Sequence, residues 1–293
     1  MNIRDLKYIV AVAEYKNFSK ASKMCFVSQP TLSMQIKKLE EYLDLKIFER
    51  NNKKVLLTAN GEKIVEKAKV ILLEVDSIKK FAKSVKSPYA GELVIGVIPT
   101  ISPYLLPRII EQVSNQYPDL KIFLKEGTTT NLLKDIKDGK IDVMIQALPM
   151  DLGDLKTEVV YKEEFFVAVP KNHEWAGRKI IEKSELNNQH ILLLEKEHCL
   201  RGHILQQLCN LSNNNDKVDF KATSLETLRY MVMSGLGITV IPKLAINEGD
   251  KNIVYIPFVE PKPYRYIALA WRKNFAREVL VKDLAKKVTE ILA

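Results

Sequence analysis

The stretch from Phe18 to Glu40, FSKASKMCFVSQPTLSMQIKKLE, decides the fold of the first sixty residues. Ser19 is the predicted N-cap of a short helix over about residues 20–25, because a serine side chain can accept a hydrogen bond from a free N–H of the first turn. Ser28 is predicted to cap a longer helix that ends near Leu43. Two helices joined by so tight a turn are typical of a helix-turn-helix.

Three apolar stripes predict the core of this region. They are Ile3, Leu6, Val10 and Ala13 in a first helix, Ala21 and Cys25 in the second, and Leu32, Ile36, Leu39 and Leu43 in the third. Cys25 is therefore predicted to be a small core side chain. A plain three-helix bundle with a polar surface is the alternative to a DNA-binding fold.

The other face of the third helix carries uncharged polar side chains and one lysine: Gln29, Thr31, Ser33, Gln35 and Lys38. Gln, Ser and Thr can hydrogen bond with base edges, whereas Lys favours phosphates. Two β-prone pieces, 48–50 and 55–58, then flank an Asn-Asn-Lys-Lys turn, which predicts a hairpin wing. Arg50, Lys53 and Lys54 of the wing would lie at the phosphate backbone or in a minor groove.

The charge of the chain is concentrated in this region. The 293 residues are 46% hydrophobic and 28% charged, with a net charge of +9, as expected of a soluble globular protein of two or three domains. The first 89 residues hold 18 Lys and Arg against 10 Asp and Glu, a net of +8. Such asymmetry is typical of an attached nucleic-acid-binding module, although a solvated basic surface would give the same sum.

This region resembles the LysR-type transcriptional regulators through Phe18–Ser22, Val27–Ser33, Ile36–Glu40 and Phe48–Arg50. The resemblance implies a winged helix-turn-helix over residues 1–58, with its third helix in the major groove of double-stranded DNA. The expected DNA-binding residues are Ser19, Ser28, Gln29, Pro30, Thr31, Ser33, Gln35, Lys38, Arg50 and Lys53.

Residues 59–85 contain no proline and carry an unbroken heptad pattern, which predicts a long helix. Its apolar positions are Ile64, Ala68, Ile71, Val75, Ile78, Ala82 and Val85. The pattern favours a homodimer through this helix, as the family resemblance also implies, and a dimer suits a pseudo-palindromic operator. The alternative is a helix docked on its own domain. Ser87-Pro88 is predicted to end the long helix, so residues 59–88 are assigned to a dimerisation helix and a hinge.

Strand and helix patterns alternate from Gly91 onward. The order βαβαβ up to residue 147 predicts a parallel sheet with crossover helices, and a second series begins with a strand at 164–170. The predicted fold class is an α/β effector domain of two lobes over residues 90–293, similar to type 2 periplasmic binding proteins. Lobe I is assigned to about 90–162 and 267–293, and lobe II to about 163–266. A ligand would lie between the lobes at strand carboxyl ends.

Two short motifs of lobe II are assigned structural roles. Thr223–Glu226 predicts a capping box that opens a helix after a strand at 218–223, and the amides of that helix end could also bind a small polar ligand. Gly235–Gly237 follows the helix and predicts a C-cap and turn. No phosphate-binding glycine loop and no zinc-protease motif is present, so no cofactor and no metal are expected.

The segment around Cys199 contains the candidate reactive side chains of the chain. Cys199 follows a predicted strand and starts a helix, and the helix N-terminus, His198 and Arg201 are all expected to favour its thiolate. Peroxide oxidises a thiolate to a sulfenic acid, which a second thiol can capture. If the segment to Cys209 is helical, the two cysteines lie about 15 Å apart, beyond the ~7 Å that a disulfide allows. A bond between them would require unwinding, and so would act as a switch.

Three alternatives stay open for this segment. The cysteines could be buried and inert. They could bind a metal together with two histidines, His198 and His203, although the spacings lack a compact chelate pair. They could belong to a thiol enzyme such as a peroxidase, although an attached DNA-binding domain favours a role in signalling.

The resemblance extends along essentially the whole chain to peroxide-sensing members of the LysR family, through Met1–Leu6, Gly96–Thr100, Pro103–Pro107, Glu195, His198–Arg201 and Ala222–Arg229. It implies that Cys199 is the peroxidatic cysteine and Cys209 the resolving one. It also implies that Thr100, Thr129 and His198 line a peroxide pocket, with Arg265 near the resolving thiol.

Two features depart from those members. Nine residues separate the two cysteines where eight are usual, which would rotate Cys209 by about 100° on a helix. Gly202-His203 also stands in place of the usual Asp-Gln.

The sequence therefore predicts a peroxide-sensing transcription regulator that is not an enzyme. Its predicted partners are operator DNA, hydrogen peroxide and further copies of the chain, as a homodimer and by resemblance a homotetramer, together with RNA polymerase. Its first apolar stretch is too short for a signal peptide and no run could span a bilayer, so a cytoplasmic location without membrane contact is expected. The alternative is a LysR regulator that answers a small metabolite between the lobes.

Overall fold

The computed structural model describes residues 1–51, 54–84, 87–208 and 222–292. The chain divides into two compact units, Met1–Lys86 and Ser87–Ala293. In the described parts of the chain, no helix is long and apolar enough to cross a membrane.

The first unit is a winged helix-turn-helix followed by a long helix. Its elements are α1 (Ile3–Tyr15), α2 (Phe18–Met24), α3 (Gln29–Tyr42), β1 (Phe48–Asn51), β2 (Lys54–Leu57) and α4 (Ala59–Ser84). Strands β1 and β2 pair in antiparallel register from Phe48↔Leu57 to Asn51↔Lys54, which confirms the wing. Residues 52–53 at its tip lie outside the described residues.

The caps of the helix-turn-helix agree with one prediction and correct the other. Ser28 caps α3 and accepts a hydrogen bond from the Thr31 N–H at 3.3 Å. Ser19 does not cap α2: the N-cap is Asn17, whose side chain accepts from the Lys20 N–H at 2.9 Å, and Ser19 lies inside the helix. Asn and Ser are equally good caps, so the local sequence alone did not choose between them.

The core of this unit lies between α1, α2, α3 and the first half of α4. Leu32, Ile36 and Leu39 are buried as predicted, and Cys25 packs on the same core. The predicted stripe of α1 was rotated, because the structure buries Leu6, Ile9 and Val12 and exposes Ile3.

Helix α4 changes its surroundings along its length. Val65 and Ala68 are buried in the core of the first unit. Beyond them Ile71 is 43% exposed and Ile78 is 68% exposed. The first half of the heptad seam is therefore docked on its own unit, as the alternative prediction had it. The second half presents apolar side chains outward. The last seam position, Val85, lies outside the described residues.

The second unit alternates strands and helices. Its elements are β3 (Gly91–Val97), α5 (Ser102–Gln116), β4 (Leu120–Glu126), α6 (Thr129–Lys137), β5 (Val143–Leu148), β6 (Lys156–Pro170), β7 (Ile191–Leu192), α7 (Cys199–Gln207), α8 (Leu225–Met233), β8 (Ile238–Pro242), β9 (Ile253–Pro257), β10 (Tyr264–Trp271) and α9 (Glu278–Leu292). The βαβαβ prediction is confirmed, since β3 pairs in parallel with both β4 and β5.

One long strand joins the two halves of this unit. The strand order is β4-β3-β5-β10-β6-β8-β7, with β9 also paired to β6. The first part of β6 pairs with β10, and its last residues pair with β8 and β9. The sequence placed the start of this strand at Glu164, eight residues late, because charged residues interrupt the apolar run from Lys156 to Glu164. It also missed β9.

Two separate hydrophobic cores give this unit its two lobes. One core is built from β3, β4, β5, α5, α6 and α9, with the later residues of β10. The other is built from the end of β6 with β7, β8, β9, α7 and α8. The two-lobed α/β fold is therefore confirmed, and α7 belongs to the second lobe.

The ends of α8 refine the two motifs of lobe II. The N-cap is Ser224, which accepts from the Thr227 N–H at 3.2 Å, so the predicted capping box of Thr223 and Glu226 is wrong by one residue. Gly235 ends the helix with φ +80°, and its N–H bonds to the carbonyl of Val232. This left-handed position confirms the predicted C-cap and turn. Most of the predicted strand 218–223 lies outside the described residues.

Candidate redox site

Cys199 is the first residue of α7, and the preceding His198 is its N-cap. The N-terminus of a helix presents free N–H groups and a partial positive charge, both of which stabilise an anion. The Cys199 side chain is half-buried and packs against the core of the first lobe, although α7 belongs to the second. The thiol therefore lies where the two lobes meet.

Two threonines reach this point from the carboxyl ends of neighbouring parallel strands. Thr100 follows the end of β3, and Thr129 is the first residue of the helix that follows β4. Both side chains are buried. The Thr129 hydroxyl lies close enough to the Cys199 thiol to lower its pKa. The carboxyl ends of adjacent parallel strands meet at one edge, which is why residues separated by 29 positions share a site.

Arg265 supplies the positive charge of the site. Its guanidinium donates from Nη1 to the Thr100 hydroxyl at 2.9 Å and from Nη2 to the Thr100 carbonyl at 3.0 Å. Its Nε donates to Glu163 at 2.6 Å, and both of these charged side chains are 0% exposed. Glu163 and Arg265 are register partners on β6 and β10. Glu163 also accepts from the Leu244 N–H at 2.9 Å.

Glu163 was not predicted as a site residue. It lay just before the predicted start of its strand, and the buried side of that strand otherwise carries apolar residues. Only the cross-strand register brings it to Arg265, because 102 positions separate the two residues.

Burial and charge act in opposite directions on the Cys199 thiol. Burial raises its pKa above the ordinary value, and the Arg265 charge, the Thr129 hydroxyl and the backbone N–H groups at the helix start lower it. The net pKa is raised. The expected effect of the helix start is confirmed, but it does not outweigh burial. The expected cation is corrected: Arg265 lowers the pKa of Cys199, whereas Arg201 donates to the Leu194 carbonyl at 3.1 Å.

Helix α7 is held at three points by hydrogen bonds. Besides the Arg201 contact, His203 Nε2 lies 3.0 Å from the carbonyl oxygen of Pro149. The Gln207 side chain bonds to the backbone of Tyr264 in both directions, with the Tyr264 N–H donating at 2.8 Å. These contacts are spread along the helix, from Arg201 in its first turn to Gln207 at its end.

The second cysteine of the predicted pair, Cys209, lies outside the described residues. The helix that follows Cys199 is confirmed up to Gln207. Among the residues that the structure describes, no three His, Cys, Asp or Glu side chains are grouped so that they could hold a metal ion.

The predicted DNA-binding residues are gathered on one unit. Gln29, Pro30 and Lys38 are exposed on α3, and Thr31, Ser33 and Gln35 are half-buried there. Ser28 and Thr31 also bond to each other through their hydroxyls at 2.7 Å. Ser19 is exposed on α2. Arg50 lies on β1, where its side chain is not described, and Lys53 lies outside the described residues.

Comparison with known proteins agrees with both units. Residues 3–62 match the model of the bacterial regulatory helix-turn-helix protein, lysR family, and residues 86–292 match the LysR substrate binding domain. A hydrogen peroxide-inducible genes activator of Haemophilus influenzae is 42% identical over 93% of this chain and 91% of its own length. The DNA-binding transcriptional dual regulator OxyR of Escherichia coli K12 is 39% identical over 98% and 95%.

Solved structures give the same result. Full-length OxyR from Pseudomonas aeruginosa, with a cysteine replaced by aspartate, has a TM-score of 0.79 at 36% identity and covers 98% of this chain and 94% of that one. A peroxide-bound cysteine mutant of Corynebacterium glutamicum OxyR has a TM-score of 0.67 at 31% identity, with 99% and 92% covered.

Proposed function

The chain belongs to the LysR family of bacterial regulators and resembles OxyR over nearly its whole length, and from this premise we propose that it is a transcription regulator switched by hydrogen peroxide. The observation that carries the proposal is the setting of Cys199, at a helix N-terminus with the Thr129 hydroxyl and the Arg265 charge close enough to lower its pKa. Relatives with this fold are named as hydrogen peroxide-inducible activators.

The reaction is oxidation of Cys199 by peroxide. The sulfur attacks one peroxide oxygen, the O–O bond breaks, and the products are a sulfenic acid and water. The attacking form is the thiolate, which Arg265 and the helix N-terminus favour. The hydroxyls of Thr100 and Thr129 and the imidazole of His198 would orient the two peroxide oxygens.

In the second step the Cys209 sulfur would attack the sulfenic acid sulfur of Cys199, so that the S–O bond breaks, water leaves and a disulfide forms. A wound α7 keeps such positions apart, because each helical residue adds about 1.5 Å and a disulfide needs Cα atoms within ~7 Å. Disulfide formation would therefore break the contacts of α7 with Pro149 and Tyr264. These contacts tie the second lobe to the residue that follows β5 and to the start of β10, so their loss would change the arrangement of the lobes.

The first unit would carry the response to DNA. Its third helix would read an operator, with Gln29, Gln35 and Lys38 among the contacts. The outward apolar half of α4 would form a homodimer, which matches a pseudo-palindromic operator. A homotetramer, contact with RNA polymerase and a cytoplasmic location follow by resemblance to the family. The chain would act as a regulator and turn over no substrate.

The rival function is a response to a metabolite between the lobes. An anionic effector would need a cation free to bind it. The guanidinium of Arg265 is already bonded through all three of its nitrogens, to Glu163 and Thr100. This pairing favours the peroxide function.

The test is a peroxide titration of the reduced full-length protein, followed by peptide mass mapping. We expect a Cys199–Cys209 disulfide at a low excess of peroxide, and a changed footprint on operator DNA. A Cys199→Ser variant that still alters its footprint on peroxide addition would refute the assignment of Cys199. If no disulfide forms in the unmodified protein, the proposed switch is wrong.

A further inference from the structure

His203 lies on the same face of α7 as Cys199. The two residues are four positions apart in one unbroken helix, so their side chains are neighbours with Cβ atoms roughly 5–6 Å apart. Side chains on a helix lean toward its N-terminus, which directs the His203 ring toward the turn that holds Cys199. The His203 side chain is buried, with 4% of the residue exposed.

The hydrogen bond of His203 fixes which nitrogen carries the proton. Nε2 lies 3.0 Å from the Pro149 carbonyl oxygen, and a carbonyl can only accept. Nε2 therefore carries the hydrogen of the neutral ring, and Nδ1 is left with a lone pair. Nδ1 is buried and has no hydrogen-bond partner among the described residues. Buried polar atoms are nearly always paired, so a bare acceptor inside the fold calls for a donor that binds there.

The neighbours of this imidazole keep it neutral. Burial lowers the pKa of His203, and the Arg265 charge from β10 lowers it further, against the effect of the Pro149 bond. Arg265 also acts on Cys199, so the cation lies close to both side chains. Glu163 on β6 faces the guanidinium and is held by it, and His198 caps the same helix. The ring is thus an acceptor at neutral pH.

We propose that His203 Nδ1 is the proton acceptor for oxidation of Cys199, a role that rests on the peroxide function proposed above. The thiol proton passes to Nδ1, directly or along a bound peroxide. The sulfur then attacks one peroxide oxygen, an S–O bond forms and the O–O bond breaks. The imidazolium returns its proton to the departing hydroxide, which leaves as water. Sulfur loses two electrons, the peroxide gains two, and the ring ends neutral.

His203→Gln is the variant that separates this role from a structural one. The glutamine amide can still donate to the Pro149 carbonyl, so the anchor of α7 is kept, but it offers no base. The matched control is His190→Gln, because a ring nitrogen of His190 also lies 2.9 Å from a backbone carbonyl. That carbonyl belongs to Leu236, in the turn between α8 and β8. Rates of peroxide oxidation and of iodoacetamide alkylation are read at Cys199 by peptide mass mapping, between pH 5.5 and about 9.

In the unmodified protein and in His190→Gln, we expect a nearly flat rate of oxidation above the lowered pKa of His203, because the proton is taken up internally. In His203→Gln the rate should fall on the order of 100-fold at pH 7, the low end for a positioned general base. It should also rise about tenfold per pH unit, as the thiolate fraction does. Equal rates and equal pH profiles in the two variants would overturn the proposal.

The alkylation measurements distinguish failure of the His203 role from failure of the proposed peroxide function. If peroxide does not oxidise Cys199 even in the unmodified protein, the peroxide function is wrong. The pH dependence of the iodoacetamide alkylation rate then tests the role of His203 by itself. If His203→Gln leaves this pH dependence unchanged, Nδ1 takes no proton from the thiol. If the rate rises more steeply with pH in the variant, Nδ1 does take that proton.

Discussion

Removing the charge of Glu163 should destabilise the second unit strongly. Glu163 and Arg265 are both 0% exposed, and Arg265 Nε lies 2.6 Å from Glu163 Oε2. In Glu163→Gln the guanidinium keeps its two bonds to Thr100 but becomes a buried charge without a counter-charge. At an effective dielectric near 20, two unit charges about 4 Å apart interact by roughly 4 kcal/mol. Breaking a buried pair from one side costs about 3–5 kcal/mol in measured cases. We expect a loss in this range.

Urea unfolding followed by tryptophan fluorescence measures this loss in the full-length chain. The chain has two tryptophans, and both are buried in the second unit: Trp175 in the core of one lobe and Trp271 in that of the other. A Glu163→Gln/Arg265→Met double variant should recover much of the stability, because no unpaired charge remains. A loss below about 1 kcal/mol in the single variant, or simple additivity in the double variant, would refute the reasoning.

Three further predictions follow from the two units. Thr129→Val removes a hydroxyl that lowers the pKa of Cys199, so that pKa should rise further and alkylation of Cys199 should slow at every pH below it; an unchanged alkylation profile would contradict the contact. Lys38→Ala should weaken operator binding and reduce the slope of log affinity against log salt by about 1, as measured by fluorescence anisotropy, whereas an equal slope would remove Lys38 from the phosphate contacts. Ile71→Asp/Ile78→Asp should dissociate the proposed dimer in sedimentation velocity without lowering the thermal stability of the first unit, and a dimer that persists would place the interface elsewhere.

The features that the sequence predicted well are those set by short-range periodicity. The buried Leu32, Ile36 and Leu39 and the cap at Ser28 follow from spacing and hydrogen-bonding capacity within one helix. Where two equivalent solutions existed, tertiary packing decided. Asn17 caps α2 where Ser19 could have, and α1 turns Ile9 inward where Ile3 was predicted.

The candidate site was predictable only in part. Cys199 and its helix are local features, and the roles of Thr100 and Thr129 came from the family resemblance. The Glu163–Arg265 pair depends on strand register across most of the second unit, and it decides the charge around the thiol. The direction of the Cys199 pKa depends on burial between two lobes, which neighbouring residues along the chain do not determine.

The 15-residue strand β6 has a consequence for how this sensor can be divided or recombined. A cut at the boundary between the cores, near Glu164, would sever a continuous hydrogen-bonded strand and place Glu163 on a different fragment from its two partners, Arg265 and Leu244. Each fragment would expose an unpaired strand edge, which invites aggregation. The two lobes are therefore poor candidates for exchange between relatives as separate modules, and a chimaera should keep residues 87–292 as one inherited block.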